Sequence, residues 1–204
     1  MVPAPATTVP VSLSWPDPLP AAGAVRLRPY RTDDLPLVAE LAADPYLPTV
    51  GSLPVPYSDT AGLAYLARQH DRLTDGTGYS FAVVDIATDR GVGSAGLWLT
   101  PGGSGRATAG YGMAASARRR GFATDALTAL TAFGWTLPQL HRIELFIEPW
   151  NTGSVRTAER CGYQREGLLR SHQPVAGLRR DMLLYAALRP DPAAGTTAGR
   201  AGPR

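Results

Sequence analysis

A chain of 204 residues with 44% apolar residues is long enough to bury one good core, so its size predicts a single domain flanked by tails. The absence of any run of about 18 apolar residues excludes a transmembrane helix. The formal charge of +3, a pI near 9.3 and basic side chains that are all arginine apart from the histidines look more like a GC-rich genome than a nucleic-acid surface, and still permit anionic ligands.

Residues 1–22, "MVPAPATTVPVSLSWPDPLPAA", are rich in Pro and Ala without period, and residues 190–204 share that character; both read as disordered tails around a domain over 23–189. The opening "MVPAPATTVP" has neither the charged segment nor the apolar stretch of a secretory signal, so a cytoplasmic location is expected. "AVRLRPY" suits a strand. "TDDLPLVAELAAD" predicts a helix capped by Thr32 or Asp33, with Pro36 in its first turn, where amide hydrogens lack partners anyway. "SDTAGLAYLARQHDRL" predicts a second helix from a Ser58 or Asp59 cap. The period then changes: "YSFAVVDI" and "GVGSAGLWLT" form a hairpin across the turn residues Asp89, Arg90 and Gly91. "PGGSGRATAG" reads as a glycine-rich loop before a short strand at "GYGMA".

Phe122, Ala126, Leu130, Phe133 and Leu137 follow the one-face helical pattern, whereas Ile143, Leu145 and Ile147 alternate with Glu144, Phe146 and Glu148 as in a strand. A helix from Thr152 to Cys161, ended by Gly162, precedes closing strands near "YQREGLLR" and "RRDMLLYAAL". The fold class is therefore α/β, a mixed sheet with helices on its faces.

The chemistry concentrates at "ARRRGFATDAL", Ala117 to Leu127. A helix starting at Ala123 or Thr124 leaves its first amide hydrogens unpaired, and Gly121 removes the side chain that would keep a phosphate from them. With the positive end of the helix dipole and the guanidinium groups of Arg118, Arg119 and Arg120 beside it, the stretch suits a pyrophosphate; the bland alternative is a solvated basic helix start. Asn151 is the lone asparagine and either caps the following helix or makes a polar contact to a ligand. Cys161 is the single cysteine, which excludes an internal disulfide framework, and neither it nor His70, His141 and His172 has metal spacing, so no metal is expected. The chain contains no G-x-S-x-G elbow and no G-K-[ST] phosphate loop.

Taken together, "RLRPYRTDDL", "GYGMAASA", "RRRGFA" and "EPWNTGSVRTAERCGYQREG" resemble, in order and spacing, the GNAT-family N-acetyltransferases of the RimJ/RimL type, from about Val25 to Leu188. The family's coenzyme-A motif is Gln or Arg, two residues, Gly, one residue, then Gly or Ala, and here Arg118, Gly121 and Ala123 fill it. The resemblance implies the GNAT fold, a mostly antiparallel sheet whose two parallel strands splay to admit the pantetheine arm. It implies that Tyr111, Gly112 and Met113 lie beside that arm. It also implies that the amides of Arg119, Arg120, Gly121, Phe122, Ala123 and Thr124 hold the phosphates, and that Asn151 touches coenzyme A.

The resemblance further implies transfer of an acetyl group from acetyl-CoA to a primary amine, a protein N-terminus or a small amine, by direct attack in a ternary complex. No nucleic acid or membrane partner is implied, and the protein is a monomer or homodimer. Alternatives are a longer acyl group or a non-catalytic acyl-CoA binder.

Two departures bear on catalysis. Where many relatives place a Tyr acid the chain has Ala158, which leaves Ser154 either as the proton donor to the thiolate or as a stabiliser of the first helical turn. Where many have a Glu base it has Thr108, which leaves Glu148 as the candidate base, with Glu144 and Asp181 as other nearby acids. The acceptor pocket is expected between Pro48 to Tyr57 and the loop "SHQPVAGLRRD".

Overall fold

The computed structural model describes residues 13–102 and 104–190; the tails expected over 1–12 and 191–204 lie outside the described residues. Residues 13–22, expected as part of a disordered tail, are instead held on the core. Trp15 sits edge-on to Phe81 at 5.5 Å and to His70 at 5.8 Å between ring centroids. One partly buried indole supplies enough apolar area to hold a proline-rich segment that has no periodic pattern of its own.

A short strand β1 (Ala21–Ala22) leads into β2 (Val25–Arg28), a 3-10 turn over Thr32–Asp34, α1 (Leu35–Ala42) and the one-turn α2 (Leu47–Val50). α3 (Asp59–Thr74) starts where the sequence pattern puts it, because the Ser58 hydroxyl accepts the Ala61 amide at 3.2 Å. The strands β3 (Gly78–Asp85) and β4 (Gly91–Leu99) form the expected hairpin, and β5 (Arg106–Met113) follows. The glycine-rich loop is thus shorter than expected, since pairing on both sides draws Arg106 to Ala109 into the sheet.

Beyond α4 (Phe122–Thr136) come β6 (Arg142–Ile147), α5 (Thr152–Arg160), β7 (Gln164–Val175) and β8 (Leu178–Leu188). The segment "SHQPVAGLRRD" is not a loop. It is the tip of the β7–β8 hairpin, turning at Ala176 and Gly177, whose φ values of 50° and 77° match the twist of paired strands.

The strands lie in the order β1-β2-β3-β4-β5-β6-β8-β7, and every neighbouring pair is antiparallel except β5–β6. That parallel pair is paired only through Arg106–Arg142, Ala107–Ile143 and Thr108–Glu144. Past Thr108, β5 stays on β4 and β6 stays on β8, so the two strands diverge and the sheet opens between them.

Directly paired residues share a face. Tyr79, Phe81, Ala95, Leu97, Ala109 and Tyr111 therefore face α4, and Phe133 of α4 meets Tyr79 and Phe81 at 4.7 Å and 5.7 Å. Ser80, Ser94, Gly96, Trp98, Gly110 and Gly112 face the side covered by α1, α2 and α3. Each buried Leu or Phe at these faces contributes about 1.5–3 kcal/mol.

On the α1 side a buried ion pair fixes the first helix. Arg28 of β2 donates twice to the Asp34 carboxylate, at 2.7 and 2.8 Å, and both residues are 3% exposed. Asp34 also accepts the Arg31 amide at 2.7 Å. Among the described residues no helix is long and apolar enough to cross a membrane.

Candidate functional site

The opening between β5 and β6 is part of a cavity of about 1220 Å³ that runs from the start of α4, through the sheet, to the α3 side. Two bonds show how β5 meets it. The Thr100 amide donates to the Arg106 carbonyl and the Ala114 amide to the Val92 carbonyl, so the even-numbered residues of β5 bond to β4. The amides and carbonyls of Ala109, Tyr111 and Met113 consequently turn toward the opening. The Met113 carbonyl is taken up by Arg118 Nε at 3.2 Å. Gly112 carries no side chain, which leaves room for Leu47 of α2 to pack against it.

At the start of α4 the Thr124 and Asp125 amides both donate to the Gly121 carbonyl, at 2.9 and 3.1 Å. The amides of Phe122 and Ala123 precede those bonds and face out of the helix end. Gly121 caps the helix at φ 85°, and a Cβ built on it would meet nothing within 4 Å, so the space over these amides is open. Arg119 is also left-handed, at φ 61°, an uncommon conformation for a residue with a side chain. Seven of the eight residues from Ala117 to Thr124 line the cavity; Arg120 does not.

The three arginines separate. Arg118 turns back to Asp44 at 2.5 Å and anchors the loop to the segment before α2. Burial works against charge on Asp44, but the amides of Leu47 and Tyr46 together with Arg118 hold its carboxyl below the ordinary carboxylate value. Arg120 lies over the Phe122 ring at 4.5 Å and reaches Asp85 at 3.5 Å, away from the cavity. Arg119 lines the cavity and has no carboxylate within ion-pair distance among the described residues.

On α5, Asn151 is the cap: its Oδ1 accepts the Ser154 amide at 3.1 Å. Both Asn151 and Ser154 line the cavity. The Tyr111 hydroxyl donates to the Ser154 carbonyl at 3.4 Å and is pushed toward its protonated form by burial. Arg156 and Arg160, one turn apart on α5, also line the cavity without carboxylate partners among the described residues.

Glu148 follows β6 and is buried, with Arg180 at 3.8 Å, but it faces a smaller cavity of about 410 Å³ shared with Arg179 and Asp181. Trp150 lines both spaces, and Tyr46 packs on it from the larger one. The Tyr46 ring is edge-on to Trp150 at 4.9 Å, and burial first and the Glu148 carboxylate second keep its hydroxyl protonated. The other two acids have separate tasks. Glu144 is held below the ordinary carboxylate value, against the effect of burial, by Arg142 and Arg106, and Asp181 accepts the Ser171 amide at 2.7 Å.

On the α3 side, Trp98 lies flat across the sheet. A Cβ on Gly96 or Gly110 would come within 2.7 or 2.8 Å of its ring, so these two paired glycines make the space for it. Arg72 of α3 stacks on the outer face of that ring at 5.5 Å, and Tyr30 and Tyr65 meet edge-on nearby at 5.9 Å. The sequence analysis passed over Tyr46 and Arg72; the facing glycines in "GSAGLWL" and "TAGYGM" were the available signal for a ring seated there.

Among the described residues there is no cluster of His, Cys, Asp and Glu able to hold a metal. The family described as Acetyltransferase (GNAT) domain matches residues 24–164. An uncharacterised N-acetyltransferase of Bacillus licheniformis, p20, is 27% identical over 164 residues, covering 80% of this chain and 92% of its own. Among solved structures, Mycobacterium smegmatis RimJ in complex with CoA-disulfide is 30% identical with a TM-score of 0.70, covering 83% of this chain and 85% of its own. The ribosomal L7/L12 alpha-N-protein acetyltransferase RimL in complex with coenzyme A is 16% identical with a TM-score of 0.69, covering 83% and 97%, a likeness of fold.

Proposed function

Because the chain belongs to the GNAT acetyltransferase family and is an acyl-CoA-dependent N-acetyltransferase with acetyl-CoA as its donor, we propose which of its residues carry the reaction and how. The observation that carries the proposal is the juxtaposition of the β5–β6 opening with the unblocked start of α4 along one cavity. The pantetheine arm pairs with the outward amides and carbonyls of Ala109 and Tyr111, as an added strand would. The amides of Arg119 to Ala123 receive the pyrophosphate, helped by the helix dipole. Arg119, Arg156 and Arg160 supply the free positive charge at that end, and Arg118 holds the loop in shape through Asp44.

The acceptor amine enters from the α2–α3 side of the opening. It must be neutral to attack the thioester carbon, so one proton leaves it as the C–N bond forms. Glu148 takes that proton by way of the Tyr46 hydroxyl, on which the buried carboxylate acts. As the C–S bond breaks, the thiolate takes a proton from Ser154, next to which the Tyr111 hydroxyl stays protonated. The proton held by Glu148 then returns by way of solvent to the Ser154 alkoxide, so that amine and thioester become amide and thiol with both side chains restored. The proposed setting is the cytoplasm, with the protein acting as a monomer or homodimer on a protein N-terminus or small amine.

For Ser154→Ala, turnover measured by free-thiol release falls about 10²-fold or more while the thermal shift with acetyl-CoA is retained, the range expected for loss of a general acid. Full activity in that variant would return Ser154 to a role in the first turn of α5. Glu148→Gln is expected to lower kcat by a similar factor with KM for acetyl-CoA unchanged; an equal loss of cofactor affinity would mean that Glu148 acts through the position of Asn151 instead.

A further inference from the structure

We propose that the acceptor carries a carboxylate as well as its amine, and that Arg72 receives that carboxylate above the indole of Trp98. The inference rests on the acetyl-transfer reading and names the substrate class of the same site. It starts from the charge that lines the cavity. Asp44 is the one carboxylate among the lining residues, and it is engaged by Arg118 and by the amides of Tyr46 and Leu47. A diamine or polyamine entering this space finds no free counter-charge for its second cation.

Arg72 is the opposite case. It lines the cavity on the α3 side and has no carboxylate within ion-pair distance among the described residues. A guanidinium cannot discharge by losing its proton, so a half-buried one without a partner calls for an anion. The cofactor does not supply that anion, because its phosphates belong at the other end of the cavity, where Arg119, Arg156 and Arg160 stand.

The placement of Arg72 is specific. Its guanidinium stacks on Trp98, which leaves the N–H edges free to grip a planar carboxylate in two places. The indole is itself seated on Gly110, two residues past Thr108, where β5 parts from β6. Trp98 therefore reaches from the edge of the opening to Arg72, a span that suits an amine and a carboxylate on one small acceptor or on one residue and its neighbour in a peptide. The buried Nε1–H of Trp98 has no acceptor among the described residues. The remaining polar groups here, on Tyr30, Tyr65 and Gln69, are uncharged.

The test uses pairs of amines that differ in the carboxylate alone: 4-aminobutyrate with butylamine, phenylalanine with phenethylamine, and a tripeptide amide with aspartate second against its asparagine counterpart. Spermidine is the polyamine control. Free-thiol release at saturating acetyl-CoA is read for the wild type, Arg72→Gln and Arg72→Lys. In at least one pair the wild type is expected to favour the carboxylated member by tenfold or more in kcat/KM, with the ratio falling close to one in Arg72→Gln and partly restored in Arg72→Lys. Equal use of the amines that lack the carboxylate or of spermidine, or a ratio that survives in Arg72→Gln, would overturn the proposal. Thermal unfolding with acetyl-CoA separates the two levels. A shift without turnover on any carboxylated amine sinks this inference alone, and no shift at all sinks the cofactor reading beneath it.

Discussion

Gly121→Glu is expected to abolish binding of acetyl-CoA while leaving the protein folded. Gly121 sits at φ 85° and caps α4, with open space where a Cβ would project. A side chain there is strained by roughly 1–2 kcal/mol, a modest part of the 5–15 kcal/mol that holds a domain together. A carboxylate at a helix start is favourable to the dipole and offsets some of that strain. The same carboxylate lies over the amides of Phe122 and Ala123, fills the space a phosphate needs and repels it.

The measurement is thermal unfolding with and without acetyl-CoA. A ligand at 100 times its Kd stabilises the folded state by about 2.7 kcal/mol, which for a domain of this size raises Tm by roughly 5–10 °C. The wild type should show that rise and Gly121→Glu should not, although both melt cooperatively. A variant that still shifts normally would mean that the phosphates lie somewhere other than the start of α4.

The largest effect on stability is expected from Asp34→Ala. Its carboxylate is buried with Arg28 and also holds the Arg31 amide, so truncation strands a guanidinium that is 3% exposed. Breaking one side of such a pair costs about 3–5 kcal/mol, a fall in Tm of roughly 6–20 °C. Arg28 has one further unmet donor already, its buried Nε, which makes the loss harder to absorb. If the cost comes from the stranded charge, replacing both partners at once, Arg28→Met with Asp34→Leu, recovers most of the stability. Equal instability in the single and double variants would assign the effect to the start of α1 and its Arg31 contact instead.

Much of the architecture was legible because its causes are local. Ser58 caps α3 through its own third neighbour, Gly121 and Gly162 take positive φ where a helix begins and ends, and the change of period at Tyr79 marks the passage from helix to sheet. The misreadings fall where distant partners decide. Residues 13–22 have no pattern, and Trp15 orders them by packing on strands more than sixty residues later. "PGGSGRATAG" has turn composition, but β4 and β6 on either side pull its second half into the sheet.

The site divides in the same way. From the sequence alone came the motif of Arg118, Gly121 and Ala123, the cap at Asn151, the substitution of Ala158 for a tyrosine and the order of strands and helices, since each depends on neighbours within a turn or a pleat. The tertiary structure alone decided that β5 and β6 part after three paired positions, because each is held along its length by a different outer strand. It alone sent Arg118 to Asp44 and Arg120 to Asp85, brought Tyr46 to Glu148 and laid Arg72 on Trp98. A side chain's type and period are written in its own neighbourhood, but the partner that takes its charge or its hydrogen bond is chosen by the order of the strands in the sheet.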